Sequence, residues 1–334
     1  MTSKKKFYIV ARTCDITGIG AIALGYIAHS VFALDRNMIP VCDLKHYRNQ
    51  YFKDGKIYQD NVWEYFFEQP CGISLNDLTN NDNIVGIGTN GMFPTDDSCI
   101  ICADSPPINS TRIKNKKLSK LRLRYKSLLK FNNELLKYAT NDYENLIKKN
   151  DTVLGVLCRG TDYAIRQSIG EQIQPSVKQI IKKIYEFRKK HPDINKIYLA
   201  TEDEFIYKQL KNEFGNDLID NNQYRYSYQD KNKPFLCDIK TKRKNHNYKL
   251  AFEYLSSLFI LSKCNYFVGG RCTGSILAWI MQDNWKDSYI WKLGRYGKSF
   301  NERLFSNTIQ RISNKDFRVI NILGIKIKKR INKD

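Results

Sequence analysis

Short uninterrupted apolar runs recur along the chain: Phe7 to Ala11, Met38 to Cys42, Val153 to Cys158, Ile197 to Ala200, Leu218-Ile219 and Tyr266 to Val268. Runs of this length without polar alternation predict strands buried on both faces, as in a parallel sheet covered by helices. Between them apolar residues recur at helical spacing. This predicts helices over about 21–35, 175–190, 203–214, 250–261 and 274–282. Pro175 suits the first turn of its helix. Over 118–138, Leu121, Tyr125, Leu128, Leu129, Leu135 and Leu136 stand among lysines and arginines, predicting one basic amphipathic helix. Strand–helix alternation implies parallel sheets joined by right-handed crossovers.

The chain's 334 residues allow two domains with cores of their own. The boundary is predicted near residue 148, where the basic helix gives way to a second alternating block. The expected organisation is an N-terminal α/β domain over 1–148, a second over 149–300, and a segment over 301–334. That segment is expected to pack back on the N-terminal domain and end in a basic tail. Its stretch 319–330 mixes Ile and Leu with lysines and fits a strand, a frayed tail or an interfacial segment. Asn61 to Pro70 is an aromatic cluster that reads as core or as the wall of a cleft. Tyr224 to Asn247 is polar, basic and free of glycine, as loops that close over ligands often are.

Two stretches raise the question of a membrane span. Gly18 to Leu34 is short for one and contains His29, so a buried helix is expected. Ser257 to Met281 is broken by Lys263, Asn265 and Arg271. No secretory signal is expected from the lysine-rich start and its brief apolar run. The nine cysteines are odd in number and scattered, which suits reduced thiols in a cytosol. Cys99 and Cys102 have CxxC spacing without a second pair. His29, His46, His191 and His246 lack metal-ligand spacing, so no metal site is predicted.

The net charge of +21 favours an anionic partner: nucleotide phosphates, nucleic acid or an anionic membrane face. A lysine-rich solvated surface gives the same number. The lysines are dispersed and no nucleic-acid-binding signature is present, so nucleic acid is not the expected partner.

The chemistry concentrates at strand ends. The run ending at Cys158 delivers Arg159-Gly160-Thr161-Asp162, and the run ending at Ala200 delivers Thr201-Glu202-Asp203-Glu204. In open α/β folds ligands sit outside the carboxyl ends of the strands. A planar guanidinium there suits phosphate oxygens. Arg159 is therefore the first candidate for a phosphate, against a structural pairing with Asp162. Asp162 could orient Arg159 or act as a general base, and Glu171 could be that base instead. Gly18-x-Gly20 forms a turn feeding a helix, which receives an anion or is a plain turn. Gly269-Gly270-Arg271-Cys272-Thr273 likewise feeds a helix, making Arg271, Thr273 and Ser275 a possible second phosphate site. Thr201, Glu202 and Asp203 could hold ribose hydroxyls, or Asp203 could cap the next helix. Glu253 could read a base edge or sit on a solvated helix face.

Taken together these motifs resemble the fucosyltransferase-like superfamily: α1,6-fucosyltransferases, including rhizobial Nod-factor enzymes, and protein O-fucosyltransferases. Arg159-Gly160-Thr161-Asp162 matches the superfamily's Arg-x-Thr-Asp, and Ala200-Thr201-Glu202-Asp203 is similar to its Ala-Thr-Asp-Asp. Gln172 to Pro175 is close to its helix start. Leu261-Ser262-Lys263-Cys264-Asn265-Tyr266-Phe267-Val268, on through Gln282, is similar to its third region. The resemblance covers about 150–285 and touches the N-terminal half loosely. It implies a GT-B-like α/β fold of two facing Rossmann-like domains with parallel sheets, with donor binding in 149–300. It also implies a metal-independent, inverting transfer of a sugar, fucose from GDP-fucose in the first instance, with no cofactor beyond the donor. The basic helix and tail suggest a glycan or lipid-linked oligosaccharide acceptor in polysaccharide biosynthesis. They also suggest a cytoplasmic protein in peripheral contact with the anionic inner face of a membrane. The rival readings are transfer from another nucleotide sugar, a non-catalytic polyanion- or nucleic-acid-binding protein, and a degenerate lectin-like member.

Overall fold

The structure, a computed structural model, describes residues 5–12, 14, 17–79, 82–87, 92–102, 116–160, 170–227, 241–297, 305–312, 315–322 and 325–330. The chain opens with strand β1 (Lys6–Ala11), helix α1 (Ile19–Leu34), strand β2 (Ile39–Asp43) and strand β3 (Asn83–Ile87). These strands form a parallel sheet in the order β2-β1-β3. Helices α2 (Lys116–Leu128) and α3 (Asn133–Leu146) follow. The second block runs β4 (Val153–Leu157), α4 (Val177–Lys190), β5 (Lys196–Ala200), α5 (Glu204–Phe214), β6 (Leu218–Ile219), α6 (His246–Lys263), β7 (Tyr266–Gly269), α7 (Thr273–Met281) and β8 (Asp287–Ile290). Its sheet is parallel, in the order β6-β5-β4-β7-β8. The chain winds outward from β4 through β6, then crosses back to lay β7 on the other side of β4. The carboxyl ends of β4 and β7 therefore flank the topological switch point, where such sheets open a crevice.

The uninterrupted strand runs are explained by two cores. Along β4, Val153 and Leu157 join one cluster while Leu154 and Val156 join the other. Along β5, Tyr198 and Ala200 face the first, and Ile197 and Leu199 the second. A period-2 strand with helices on both faces has no solvent side, so it carries no polar alternation. The second cluster packs Ile180 and Ile184 of α4 with Ile206 and Leu210 of α5. The first cluster is shared by both blocks: α1 and Trp63, Phe66 and Phe67 meet Phe252, Leu255 and Leu258 of α6 and Trp279 of α7. Asn61 to Pro70 is thus core, with Trp63 stacked on Tyr26 at 5.3 Å and Phe66 against Phe252 at 5.7 Å. Helix α1 is buried nearly all round. Among the described residues no helix is long and apolar enough to cross a membrane.

Several boundaries differ from the sequence reading. The predicted helix over 118–138 is two helices, α2 and α3. Between them Phe131 bridges to Phe67, and the side chain of Asn132 caps α3 by accepting from Leu135 N at 2.9 Å. Helical spacing continues through this turn because both helices bury faces toward the same core. Pro175 lies before its helix; Ser176 is the cap and closes a capping box with Gln179. Strand β3, to which the sequence reading gave no element, is a glycine-containing edge strand with Ile84 and Val85 half exposed. The segment over 319–330 is strand. It belongs to an antiparallel three-stranded sheet, β9 (Phe305–Ile312), β10 (Lys315–Ile322) and β11 (Ile325–Arg330), with β10 in the middle.

Candidate active site

At the switch point the two blocks enclose a cleft of about 490 Å³. One wall is the start of α1 with Gln50 and Tyr51. The other comprises the ends of β4 and β5, the segment 223–226, one face of α6 and the start of α7. A Cβ on Gly20 would lie 3.0 Å from Leu277 Cδ1 and from Tyr254 Oη, and 3.2 Å from Thr273 Cγ2. Glycine at this position thus lets α1 begin directly beside α7.

Both helices start without a side-chain cap. Gly18 has none to offer, and Cys272 makes no capping bond. The first in-helix acceptances onto the cap carbonyls come from Ala21 N at 2.9 Å and Ile276 N at 3.2 Å. The first-turn amides at 19–20 and 273–275 therefore have no intrahelical acceptor, and Gly18 to Ala21 and Thr273-Gly274 line the cleft. Two positive helix ends thus meet at one place.

Arg159 joins them from the end of β4. Its Nη1 lies 3.2 Å from Glu202 Oε1, and the same oxygen accepts from Gly160 N at 3.2 Å. Glu202 thus anchors Arg159 at the cleft from the neighbouring strand. Gly160 is required here: a Cβ would come within 2.5 Å of Asp203 Oδ2 and 2.6 Å of Ile206 Cδ1.

Of the residues singled out from sequence, Gly18, Gly20, Arg159, Glu171, Thr201, Glu202, Glu253 and Thr273 line the cleft. Asp203, Arg271 and Ser275 are not among its lining residues. Asp203 caps α5, its Oδ1 accepting from Phe205 N at 2.9 Å and Ile206 N at 3.0 Å. Ser275 is fully buried and donates to Gly270 O at 2.5 Å, which fixes the turn before α7. Arg271 is buried, and its carbonyl accepts from Gln174 Nε2 at 3.0 Å. Asp162 and the middle of the 224–247 stretch lie outside the described residues. Glu253 reaches the cleft with both oxygens engaged: it pairs with Arg243, and Tyr224 N donates to Oε2 at 3.1 Å. That pairing raises the Arg243 pKa.

Sequence reasoning passed over the aromatic and amide wall of Gln223, Tyr224, Tyr226, Tyr254 and Ser257. Tyr226 Oη lies 2.8 Å from His246 Nε2, and Tyr224 packs edge-on against both rings at 5.0 Å. Burial, and then the Arg243 charge, lower the His246 pKa and favour its neutral form. The available signal was spacing: Leu250, Tyr254 and Ser257 recur at one-turn intervals on α6, and Tyr224 and Tyr226 alternate as in a strand. Among the described residues no group of three or more His, Cys, Asp or Glu side chains is arranged to hold a metal ion.

No family model matches the sequence, and no curated protein matches it. Solved structures do. The fucosyltransferase NodZ from Bradyrhizobium superposes with a TM-score of 0.50 at 11% identity, over 79% of this chain and 89% of that one. A mutant FUT1 of Arabidopsis thaliana in complex with GDP gives 0.49 at 10% identity, over 89% and 72%. POFUT1 in its apo form gives 0.47 at 13%, over 88% and 100%. The likeness to NodZ establishes the fold: a GT-B-like α/β architecture with two parallel sheets.

Proposed function

We propose that the protein is a metal-independent, inverting glycosyltransferase that takes fucose from GDP-fucose. One observation carries this reading: Arg159 and the uncapped N-termini of α1 and α7 converge on a cleft at the switch point of a parallel sheet. A departing nucleoside diphosphate leaves with negative charge that must be neutralised where it develops. A guanidinium and two sets of orphan amides supply that without a metal ion. Arg159 takes the β-phosphate, and Thr273 with Gly274 takes the other. Thr201 and Glu202 flank the ribose. Glu171, in the cleft beyond Gly170, is the described candidate for the base that deprotonates the acceptor hydroxyl, and Asp162 is the other. The shared fold with NodZ, named a fucosyltransferase, supports fucose over other sugars.

In this reading residues 149–300 hold the donor and 1–148 face the acceptor, a glycan or lipid-linked oligosaccharide. The net charge of +21 suits peripheral contact with an anionic membrane face. The test is release of nucleoside diphosphate from GDP-fucose, GDP-mannose, UDP-glucose and dTDP-rhamnose, with and without EDTA. The reading expects release from GDP-fucose that survives EDTA. Release restored by Mn²⁺ after loss in EDTA would overturn the metal-free mechanism. Release from a different donor alone would replace the sugar, and binding of duplex DNA in place of any nucleotide would replace the function.

A further inference from the structure

The far end of the cleft carries a hydrogen-bond chain with a fixed direction. Asp142 of α3 receives Ser256 Oγ at 2.8 Å and the side chain of Asn221. Both groups donate to it, the arrangement a carboxylate requires. An amide can donate only through its nitrogen, so Asn221 must turn Nδ2 toward Asp142. Its Oδ1 then accepts from the fully buried Tyr198 hydroxyl at 3.1 Å. Nδ2 also lies 3.1 Å from Ser257 Oγ. Ser257 is buried and has one proton to give. Around its Oγ stand Glu253 O at 2.9 Å, Asn221 Oδ1 at 3.2 Å and, closest, Gln223 Oε1. With that proton on Oε1, Gln223 Nε2 and its two hydrogens remain. Nε2 makes no hydrogen bond among the described residues, and Gln223 and Ser257 both line the cleft.

We propose that this chain, set by Asp142, makes Gln223 a hydrogen-bond donor that selects nucleobases presenting a carbonyl oxygen over those presenting an amine. The inference rests on the cleft holding a nucleotide sugar and specifies how its base is chosen. A donor facing a keto oxygen is satisfied. A donor facing an exocyclic amine leaves two donors opposed and one buried group unpaired. Asp142 does not touch the base in this account. It is a positioning residue acting through Asn221 and Ser257.

The test is calorimetric titration with two matched pairs, GDP against ADP and UDP against CDP, each pair exchanging a keto group for an amine. The wild type should bind the keto member of each pair about tenfold or more tightly, as expected for one satisfied against one unpaired buried donor. In Gln223→Leu, a half-exposed position, the ratio should fall close to one. In Asp142→Asn, where the carboxylate no longer dictates the Asn221 orientation, the ratio should shrink to less than about threefold. A merely structural role for Asp142 would weaken all four nucleotides alike and leave the ratio intact. Equal binding within each pair by the wild type, or an unchanged ratio in Gln223→Leu, overturns the proposal while leaving a nucleotide site. Failure of all four nucleotides to bind overturns the nucleotide-sugar reading and this proposal with it.

Discussion

Replacing Arg159 by alanine separates two electrostatic effects that the structure makes calculable. Arg159 and Glu202 are 26% and 16% exposed at the side chain and lie 3.2 Å apart. A charge-assisted hydrogen bond contributes about 1.5–3 kcal/mol, so a guanidinium fork making two to phosphate contributes about 3–6 kcal/mol. The cleft is open to water, which places the loss near the lower end, about 3 kcal/mol. The substitution also strands Glu202. Its carboxylate at roughly 8 Å from a phosphate charge, with an effective dielectric constant of about 20, repels it by about 2 kcal/mol, and salt halves this to about 1 kcal/mol. Arg159→Ala should therefore weaken GDP binding by about 4 kcal/mol, roughly a thousandfold. Adding Glu202→Gln should recover about 1 kcal/mol, roughly fivefold. Stability should barely change, because a partly exposed ion pair contributes at most about 1 kcal/mol. Titration calorimetry gives the affinities and a thermal melt gives the control. An Arg159→Ala affinity within threefold of the wild type, or a double variant no better than the single, would refute the reasoning.

The other expectations concern the scaffold that holds the cleft. A Cβ on Gly25 of α1 would lie 2.4 Å from the backbone oxygen of Met92. Gly25→Ala should lose about 1–2 kcal/mol of stability despite a helix-propensity gain of about 1 kcal/mol, read from the urea midpoint; unchanged or raised stability would contradict this. Asn132 caps α3 and also donates Nδ2 to Glu64 O at 2.8 Å. Asn132→Ala should cost about 2 kcal/mol in a chemical melt, and Asn132→Ser, which keeps the cap, should regain about half. The pKa of Asp283 is lowered mainly by the Lys126 hydrogen bond, with Lys263 at 3.2 Å also lowering it. A lowered carboxyl pKa stabilises the fold above the ordinary aspartate value and loses that contribution as pH falls through the folded value. The wild type should thus exceed Asp283→Asn by less than about 1 kcal/mol at pH 7, since the carboxylate is half exposed, with the gap closing below about pH 4. A gap that widens on acidification would reverse the assigned sign.

How far the sequence shows these features depends on how local their causes are. The strands of the second sheet are legible because β4, β5 and β7 are buried on both faces, which leaves an unbroken apolar signature. Arg159, Thr201 and Glu202 are legible because each ends such a run. The break between α2 and α3 is not, because it is made by Phe131 meeting Phe67 and by Asn132 reaching Glu64, contacts distant in sequence. Strand β3 is short, carries a glycine and leaves Ile84 and Val85 half exposed, so it has neither signature. The Asp142–Asn221–Ser257–Gln223 chain joins α3, the loop after β6 and α6, and no spacing rule links those positions. Asp203 and Ser275 show the reverse: hydroxyl and carboxyl groups beside a predicted ligand edge that cap a helix and tie a turn.

The central claim is that the starts of α1 and α7 hold the donor's diphosphate. Its most direct test is amide hydrogen exchange with and without saturating GDP in the presence of EDTA. The account predicts that the first-turn amides at 19–20 and 273–275, which have no intrahelical acceptor, slow markedly on binding, together with the Arg159–Gly160 segment. GDP that binds without slowing exchange at either helix start would contradict it.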